Sequence, residues 1–162
     1  MPVLDPNTRP AQLGSPAVAA LIKVGSRINA KLYQLSGGRI GGSWRVGAGF
    51  RKPVPVLLLT TIGRKSGEPR TAPLNYLRKG DSFVVVASQG GLPKNPAWYL
   101  NLVATPEVCV QVGRERHDLV ARTATGEERE ALWNELVELY ADYDTYAAWT
   151  DREIPVVICE KR

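Results

Sequence analysis

The chain has 162 residues, of which 44% are hydrophobic and 23% are charged, and its formal net charge is +5. This composition is typical of a single soluble globular domain that is large enough to bury its own core. The apolar runs are much shorter than the ~20 residues that cross a bilayer, and residues 1–15 lack the pattern of a secretory signal. We therefore expect a cytoplasmic protein.

The positive charge is concentrated in one half of the chain. Residues 1–80 hold 13 Lys and Arg against 2 Asp and Glu, whereas residues 81–162 hold 8 against 14. The first half therefore presents a positive field to an anionic partner, which charge alone does not identify. His117 is the only histidine and the two cysteines lie in predicted strands, so we expect no metal site, no His-based triad and inert thiols.

The N-terminal third of the chain predicts a tail, a helix and a connection. Residues 1–13 predict a flexible tail, and 14–53 a helix followed by a Gly-rich connection that leads into a barrel domain over 54–162. Ser15 and Pro16 predict the start of a helix that ends near Leu35. Its cationic positions share one face at i, i+4 and i+8, and are Lys23, Arg27 and Lys31. The helix is either an ordinary surface helix or an interfacial helix that touches anionic lipid.

Residues 54–162 predict short strands with helices inserted between them. Strands are expected near 54–61, 70–78, 82–88, 107–113, 116–124 and 154–159. Helices are expected from the Asn95–Pro96 cap to about Ala104, from 126 to about Tyr140, and over a last turn capped by Asp144. About six mainly antiparallel strands with inserted helices predict a small α+β barrel whose topology propensity does not specify.

The most informative segment is the turn between the first two of these strands. An apolar strand enters a Gly-flanked turn that carries Arg64, Lys65 and Ser66, and the next strand opens with Arg70. Free backbone N–H groups beside guanidinium and ammonium groups suit an oxygen-rich anion such as phosphate. The alternative is a solvated basic hairpin tip without a ligand.

Several blocks at fixed spacing, taken together, resemble a known family. They are Thr-Thr-Ile-Gly-Arg-Lys-Ser-Gly-Glu-Pro-Arg over 60–70, Pro73–Leu74, Ala-Ser-Gln-Gly-Gly over 87–91, Lys-Asn-Pro-Ala-Trp-Tyr-Leu-Asn-Leu over 94–102, Trp-Thr-Asp-Arg over 149–152 and Ile-Pro-Val over 154–156. In this order they closely resemble the deazaflavin-dependent nitroreductase family, which uses coenzyme F420. The resemblance covers roughly Val54 to Glu160. It implies the split β-barrel shared with flavin-mononucleotide-binding oxidoreductases.

The resemblance also implies a cofactor site. Coenzyme F420 has a flat deazaflavin ring at one end and a phosphate with a carboxylate-bearing tail at the other. The implied cofactor-binding residues are Arg64, Lys65, Ser66, Arg70, Thr71, Ala72, Pro73, Leu74, Val86, Ala87, Ser88, Ala97, Trp98, Tyr99, Leu100, Asn101 and Tyr143. The cations suit the tail, and the small and apolar residues suit a strand lying along the ring.

The tyrosines of the 140–146 segment recur every third residue, at Tyr140, Tyr143 and Tyr146. They either pack the helix end onto the barrel or line a substrate pocket, and the resemblance implies the pocket. We expect Ser88 and Tyr143 to be catalytic by donating hydrogen bonds to an acceptor on the open face of the ring.

Four further positions carry specific expectations. Gln89 and Asn75 depart from the family pattern, in which a lysine and an aromatic residue are common at these positions. Asp151 and Arg152 are adjacent in sequence and predict a structural ion pair.

The resemblance implies an oxidoreductase that moves hydride from reduced F420 to a small organic acceptor. A quinone is the expected acceptor, with nitroaromatics and activated enones as incidental ones. The alternatives are a flavin-mononucleotide-dependent oxidoreductase and a non-catalytic cofactor carrier or nucleic-acid module. Because no stacking platform or recognition-helix pattern accompanies the cations, we expect no nucleic-acid partner. We expect a monomer or homodimer, with peripheral contact through the N-terminal helix at the inner face of the cell membrane.

Overall fold

The computed structural model of the protein describes residues 5–45, 49 and 52–162. Parts of the predicted tail (1–4) and of the predicted Gly-rich connection (46–48 and 50–51) lie outside the described residues. The helices are α1 Pro16–Ser36, α2 Ala97–Ala104, α3 Gly126–Leu139 and α4 Asp142–Ala148, with short 3₁₀ turns at Ala11–Gly14 and Gln89–Gly91. The strands are β1 Ser43–Trp44, β2 Val54–Ile62, β3 Pro69–Lys79, β4 Ser82–Val86, β5 Glu107–Val112, β6 Glu115–Thr123 and β7 Val156–Glu160.

Six of these strands close into a barrel. The pairing order is β2–β3–β4–β7–β6–β5, and β5 pairs again with β2, so the described sheet has no free edge at this seam. Every pairing is antiparallel, and the two-residue strand β1 is added beside the start of β2. The prediction of a small α+β barrel with an N-terminal helix is therefore confirmed, and β1 is an additional strand.

Strand β2 is buried on both faces, which explains its continuous apolar run. Leu57 and Leu59 point into the barrel core with Phe83, and each is fully buried. Leu58 instead packs outside the barrel, in a small cluster with Tyr33 of α1. A strand covered on both sides must be apolar at successive positions rather than alternating ones.

A second apolar core lies between the barrel and the helices α3 and α4. Val84 and Val156 face outward from β4 and β7, and Leu136 of α3 covers them. Tyr140 and Tyr143 complete this cluster. The tyrosines are therefore part of the packing that attaches α4 to the barrel.

Helix α1 begins and ends as the sequence predicts. The Ser15 hydroxyl accepts a hydrogen bond from the amide of Val18 (3.2 Å), and Gly37 ends the helix with φ 61°. Tyr33 anchors the helix, since its buried hydroxyl donates to the Val56 carbonyl (3.0 Å) and accepts from the Gly113 amide (2.8 Å). Only Ala30 and Tyr33 of this helix are buried.

Two predicted helix caps are wrong. Helix α2 has no side-chain cap, and the Asn95 amide oxygen instead accepts from the guanidinium of Arg152 (2.8 Å). Asp144 lies inside the first turn of α4, where its carboxylate accepts from the indole N–H of Trp133 (2.9 Å). In both cases a donor from a distant element binds the side chain, which local sequence does not reveal.

The two cysteines are free thiols, Cys159 buried and Cys109 partly so. Burial, with a smaller effect of Glu160, raises the pKa of the Cys159 thiol to about 12, so the group stays protonated and unreactive at neutral pH. Among the described residues, no helix is both long and apolar enough to cross a membrane.

Candidate functional site

The backbone of the turn between β2 and β3 is closed by hydrogen bonds, and the cationic side chains of the turn are exposed. The Gly63 amide donates to the Glu68 carbonyl (2.8 Å), and the Gly67 amide donates to the Gly63 carbonyl (2.8 Å). A Cβ at Gly63 would lie 2.6 Å from the Ser66 hydroxyl oxygen, so the turn requires glycine there. These bonds fix the direction in which residues 64–66 leave the barrel.

Arg64, Lys65 and Arg70 are exposed, and among the described residues no carboxylate lies within ion-pair distance of them. The Ser66 hydroxyl accepts from the Arg70 guanidinium (3.3 Å) and from the Glu68 amide (3.2 Å). Three cations without an acidic partner make a positive surface for an anion. The structure thus brings the four predicted residues of the turn together.

Asn101 attaches this turn to helix α2. Its amide oxygen accepts from the backbone N–H of Arg64 (3.1 Å), and its amide nitrogen donates to the hydroxyl of Thr61 (3.1 Å). Asn101 is 5% exposed and Thr61 is fully buried. Asn101 therefore supports the turn, and its direct contact with the cofactor stays a prediction.

Strand β3 leads from the cations toward the tyrosines. Residues 71–77 are all half-buried, so the strand presents an accessible surface over its central length. The Thr71 hydroxyl shares a hydrogen bond with that of Thr60 (2.8 Å), whereas Ala72 and Leu74 pack against the barrel core. From Arg70 to Asn75 the strand covers about 17 Å at 3.4 Å per residue, which suits an elongated ligand.

Ala87 and Ser88 follow the end of β4. Val85 pairs with Tyr76, so β4 runs antiparallel to β3 and toward its turn end. Val86 and Ala87 are buried, and Ser88 is half-buried. Gln89, at φ 45°, is the only residue other than glycine with positive φ among the described residues.

The remaining predicted cofactor residues lie on helix α2. Ala97 and Leu100 are exposed, Tyr99 is half-buried with its hydroxyl bonded to that of Thr123 (3.0 Å), and Trp98 is 9% exposed in the barrel core. Trp98 thus packs in the core, whereas Ala97 and Leu100 are the most accessible of these positions, and the cofactor role of all of them stays a prediction.

The three predicted pocket tyrosines form one cluster. The rings of Tyr140 and Tyr143 are 5.1 Å apart at their centroids, and the hydroxyls of Tyr140 and Tyr146 are 3.1 Å apart. The indole N–H of Trp44, on β1, donates to the Tyr140 hydroxyl (3.4 Å). Tyr140 and Tyr143 are 2% and 4% exposed, and Tyr146 is half-buried. An acceptor reaches the Tyr143 phenol only if neighbouring side chains shift.

Burial controls the protonation of these phenols. It raises the pKa of Tyr143 well above its ordinary value, Tyr140 adds to the effect, and a hydrogen bond from Asn75 opposes it. Burial and the Tyr140 hydroxyl raise the pKa of Tyr146 in the same direction. Both phenols stay neutral at physiological pH and are able to donate a hydrogen bond.

Asn75 lies near the tyrosines, since its side chain lowers the pKa of the Tyr143 phenol and so opposes the effect of burial. The sequence marks this position as unusual, but only the structure shows its partner. The predicted Asp151–Arg152 ion pair is wrong, because the Arg152 guanidinium donates to groups of the 87–95 segment instead. Among the described residues, no group of His, Cys, Asp and Glu side chains is placed to hold a metal ion.

One surface cavity of about 300 Å³ lies between α3 and the barrel. Another, of about 430 Å³, adjoins the base of the cationic turn, where Ile62 and Pro69 contribute to its lining. Neither of these two cavities is lined by Ser88 or by the tyrosine cluster.

The chain is similar to known proteins of one family. The family model of the F420H(2)-dependent quinone reductases matches residues 25–161. The F420H(2)-dependent quinone reductase Rv1261c of Mycobacterium tuberculosis is 38% identical over 141 residues, which cover 84% of this chain and 89% of the relative.

Two solved structures are also similar. An F420-H2 dependent reductase, FDR-A, is 47% identical with a TM-score of 0.62, and the match covers 65% of this chain and 94% of that one. A structure described as a domain-swapped dimer is 36% identical with a TM-score of 0.65, and the match covers 90% of this chain and all of that one.

The antiparallel barrel with inserted helices defines a split-barrel oxidoreductase. Within this class, the chain belongs to the F420H(2)-dependent quinone reductase family. It is an enzyme whose cofactor is coenzyme F420, and its reaction is hydride transfer from the reduced cofactor to a quinone.

We predict that Arg70→Ala and Lys65→Ala each weaken F420 binding far more than they change turnover at saturating cofactor. Each charge-assisted contact contributes roughly 1.5–3 kcal/mol, which is about 10- to 150-fold in affinity. Fluorescence titration of F420 gives the dissociation constants. Arg116→Ala is the matched control, because Arg116 is exposed on β6 and lies near the end of the barrel opposite the turn. Unchanged affinity in both turn variants would remove the turn from the site.

Proposed function

We propose that F420 lies along β3 with its phosphate and tail at the cationic turn and its ring beside Ser88 and the tyrosine cluster. The observation that supports this proposal is the order of surface features along β3. Unpaired cations stand at the turn, half-exposed positions follow over 71–77, and Asn75 then reaches Tyr143. A molecule that is anionic at one end and flat at the other fits this order.

When bound, reduced F420 supplies the hydride. Arg64, Lys65 and Arg70 would hold its anionic end by charge, and the small residues Ala72 and Pro73 would let the ring approach the strand backbone. Coulomb attraction at an exposed turn is screened by salt, so binding should weaken as ionic strength rises. The proposed arrangement leaves one face of the ring toward Ser88.

Ser88 and Tyr143 are the proposed donors to the acceptor. Negative charge develops on a quinone oxygen as hydride arrives, and a neutral hydroxyl stabilises this charge by donating a hydrogen bond. Burial keeps the Tyr143 phenol protonated, as this role requires. Nitroaromatics and activated enones also place charge on an oxygen, so we propose them as incidental acceptors.

We predict that Ser88→Ala and Tyr143→Phe lower turnover while F420 affinity stays nearly unchanged. Losing one such hydrogen bond costs ~1–3 kcal/mol in the transition state, or about 5- to 150-fold in rate. Steady-state oxidation of reduced F420 with quinone, nitro and enone acceptors measures the effect.

Ser82→Ala is the matched control for the loss of a hydroxyl. Ser82 lies at the end of β4 that is farther from Ser88. Full turnover of both site variants with every acceptor class would make their hydroxyls packing groups only.

We further propose that α1 attaches the enzyme to an anionic membrane surface, where a lipid-soluble quinone is available. The helix exposes a row of large apolar side chains. They are Leu21 (72% exposed), Val24 (52%), Ile28 (54%), Leu32 (41%) and Leu35 (87%). Their spacing of three and four residues places them on one face, away from the buried Ala30 and Tyr33.

Charge favours lipid over a second copy of the helix as the partner of this row. Lys23, Arg27 and Lys31 flank it at i, i+4 and i+8, and α1 contains no Asp or Glu. Two such helices would bring like charges together, whereas an anionic surface would neutralise them. The relative described as a domain-swapped dimer makes a second copy the competing occupant.

We predict that replacing Lys23, Arg27 and Lys31 by Gln weakens binding to anionic vesicles by roughly ten- to a hundredfold, since each cation contributes about 1 kcal/mol near such a surface. Vesicle co-sedimentation measures binding. Deleting the helix is unsuitable, because Tyr33 is part of the core.

Replacing Lys94, Arg116 and Lys161 by Gln is the control for this variant, since it removes equal charge from exposed positions on other elements. Equal vesicle binding by the α1 variant and the wild type would contradict membrane attachment. Sedimentation velocity that shows a dimer dissociated by Leu21→Ser and Ile28→Ser would assign the face to a second copy.

A further inference from the structure

The segment that carries Ser88 is held by a single guanidinium. Arg152 donates to the carbonyls of Leu92 (3.0 Å), Ala87 (3.1 Å) and Ser88 (2.8 Å), and to the side-chain oxygen of Asn95 (2.8 Å). All four acceptors lie within residues 87–95. One side chain therefore bonds both ends of the segment between β4 and α2.

This segment has a backbone that requires such support. Gln89, Gly90 and Gly91 follow Ser88 with φ values of 45°, 61° and 74°. Glycine adopts such φ values readily, so the steric cost of this backbone falls on Gln89. A strained conformation persists only where surrounding contacts determine it. The four bonds from Arg152 are such contacts, and one of them reaches the Ser88 carbonyl itself.

Arg152 also lies between the two parts of the proposed site, which are helix α4 and the segment that carries Ser88. It follows the end of α4, and its backbone amide donates to the Thr150 hydroxyl (3.4 Å). On the other side, Gly91 approaches α4 so closely that a Cβ there would lie 2.7 Å from the Tyr146 carbonyl. The Ser88 segment and helix α4 are thus joined at this point by the hydrogen bonds of Arg152 and by the close approach of Gly91 to Tyr146.

We propose that Arg152 is a positioning residue for hydride transfer, which fixes Ser88 relative to the tyrosine cluster. This inference rests on the proposed function, in which Ser88 and Tyr143 face the acceptor. The planar guanidinium donates in several fixed directions at once, whereas a lysine ammonium is a single compact centre. Lysine would keep the charge at this position and lose most of the four bonds.

Geometry and charge make separable contributions here. All four acceptors of the guanidinium are neutral oxygens, and among the described residues no carboxylate lies within ion-pair distance of it. Its positive charge therefore also adds to the field near Ser88. A variant that keeps the charge but changes the shape distinguishes the two effects.

The test uses Arg152→Lys, Arg152→Ala, Ser88→Ala and the double variant Arg152→Lys with Ser88→Ala. We expect Arg152→Lys to lower kcat with a quinone by about 10- to 100-fold, as a misplaced reacting geometry does. F420 affinity should change little, because the cationic turn is untouched. Added guanidinium ion, but not equal ammonium, should restore part of the turnover of Arg152→Ala.

Arg129→Met is the matched control, since Arg129 is half-buried and its guanidinium also bonds a backbone carbonyl, that of Ile154 (2.7 Å). Arg129→Met should change thermal stability, but it should not lower kcat selectively while F420 affinity stays unchanged. The double variant should lose little more than Arg152→Lys alone, because both changes act on one hydroxyl.

Each outcome bears on a different claim. Wild-type kcat in Arg152→Lys, or additive effects in the double variant, would overturn the positioning role even where Ser88→Ala is impaired. Full turnover of Ser88→Ala would instead contradict the proposed function of Ser88. If Arg152→Lys unfolds, the test relies on Arg152→Ala, with turnover normalised to the fraction of that variant that binds F420. The inference is then overturned if added guanidinium restores no turnover to Arg152→Ala.

Discussion

The site depends on two hydrogen bonds that the buried side chain of Asn101 makes. Its amide joins the Arg64 backbone and the Thr61 hydroxyl, and so attaches helix α2 to the end of β2. Without that amide, a buried hydroxyl would lose its partner, at a cost of about 1–3 kcal/mol. The cationic turn would also lose the hydrogen bond that attaches it to helix α2.

The rest of the site follows from strand register. Ile62 pairs with Pro69, so β3 begins where the cationic turn ends, and Tyr76 pairs with Val85, so β4 runs antiparallel to β3 toward the turn. Helix α4 packs in the outer core, where its tyrosines join the outward side chains of β4 and β7. In the proposed site, this arrangement of strands places positions 64, 88 and 143 around β3.

The sequence predicts the secondary-structure elements well, and it predicts that the cations of the turn are exposed. Apolar runs and Gly-flanked turns specify β2, β3 and β4, and the cations at 64, 65 and 70 are exposed as expected. These features are local, since hydrophobic periodicity and turn chemistry act over a few residues. The family resemblance implies the barrel topology and the cofactor, because secondary-structure propensity alone predicts neither.

What the sequence did not reveal depends on contacts between distant elements. The partner of Arg152 is the 87–95 segment rather than its neighbour Asp151, and Asn95 is bound by that guanidinium rather than capping a helix. The burial of Tyr143 likewise follows from how α4 docks on the barrel. Side-chain hydrogen bonds over such separations are decided by the closed fold, and no periodicity encodes them.

The central claim is that the cationic turn recognises the carboxylate-bearing tail of F420 in addition to its phosphate. Equilibrium titration of the wild-type protein with F420 and with flavin mononucleotide, at physiological salt, tests it most directly. Both ligands carry a flat ring and a phosphate, and only F420 has the additional carboxylates. The account predicts tighter binding of F420, and equal or tighter binding of flavin mononucleotide would contradict it.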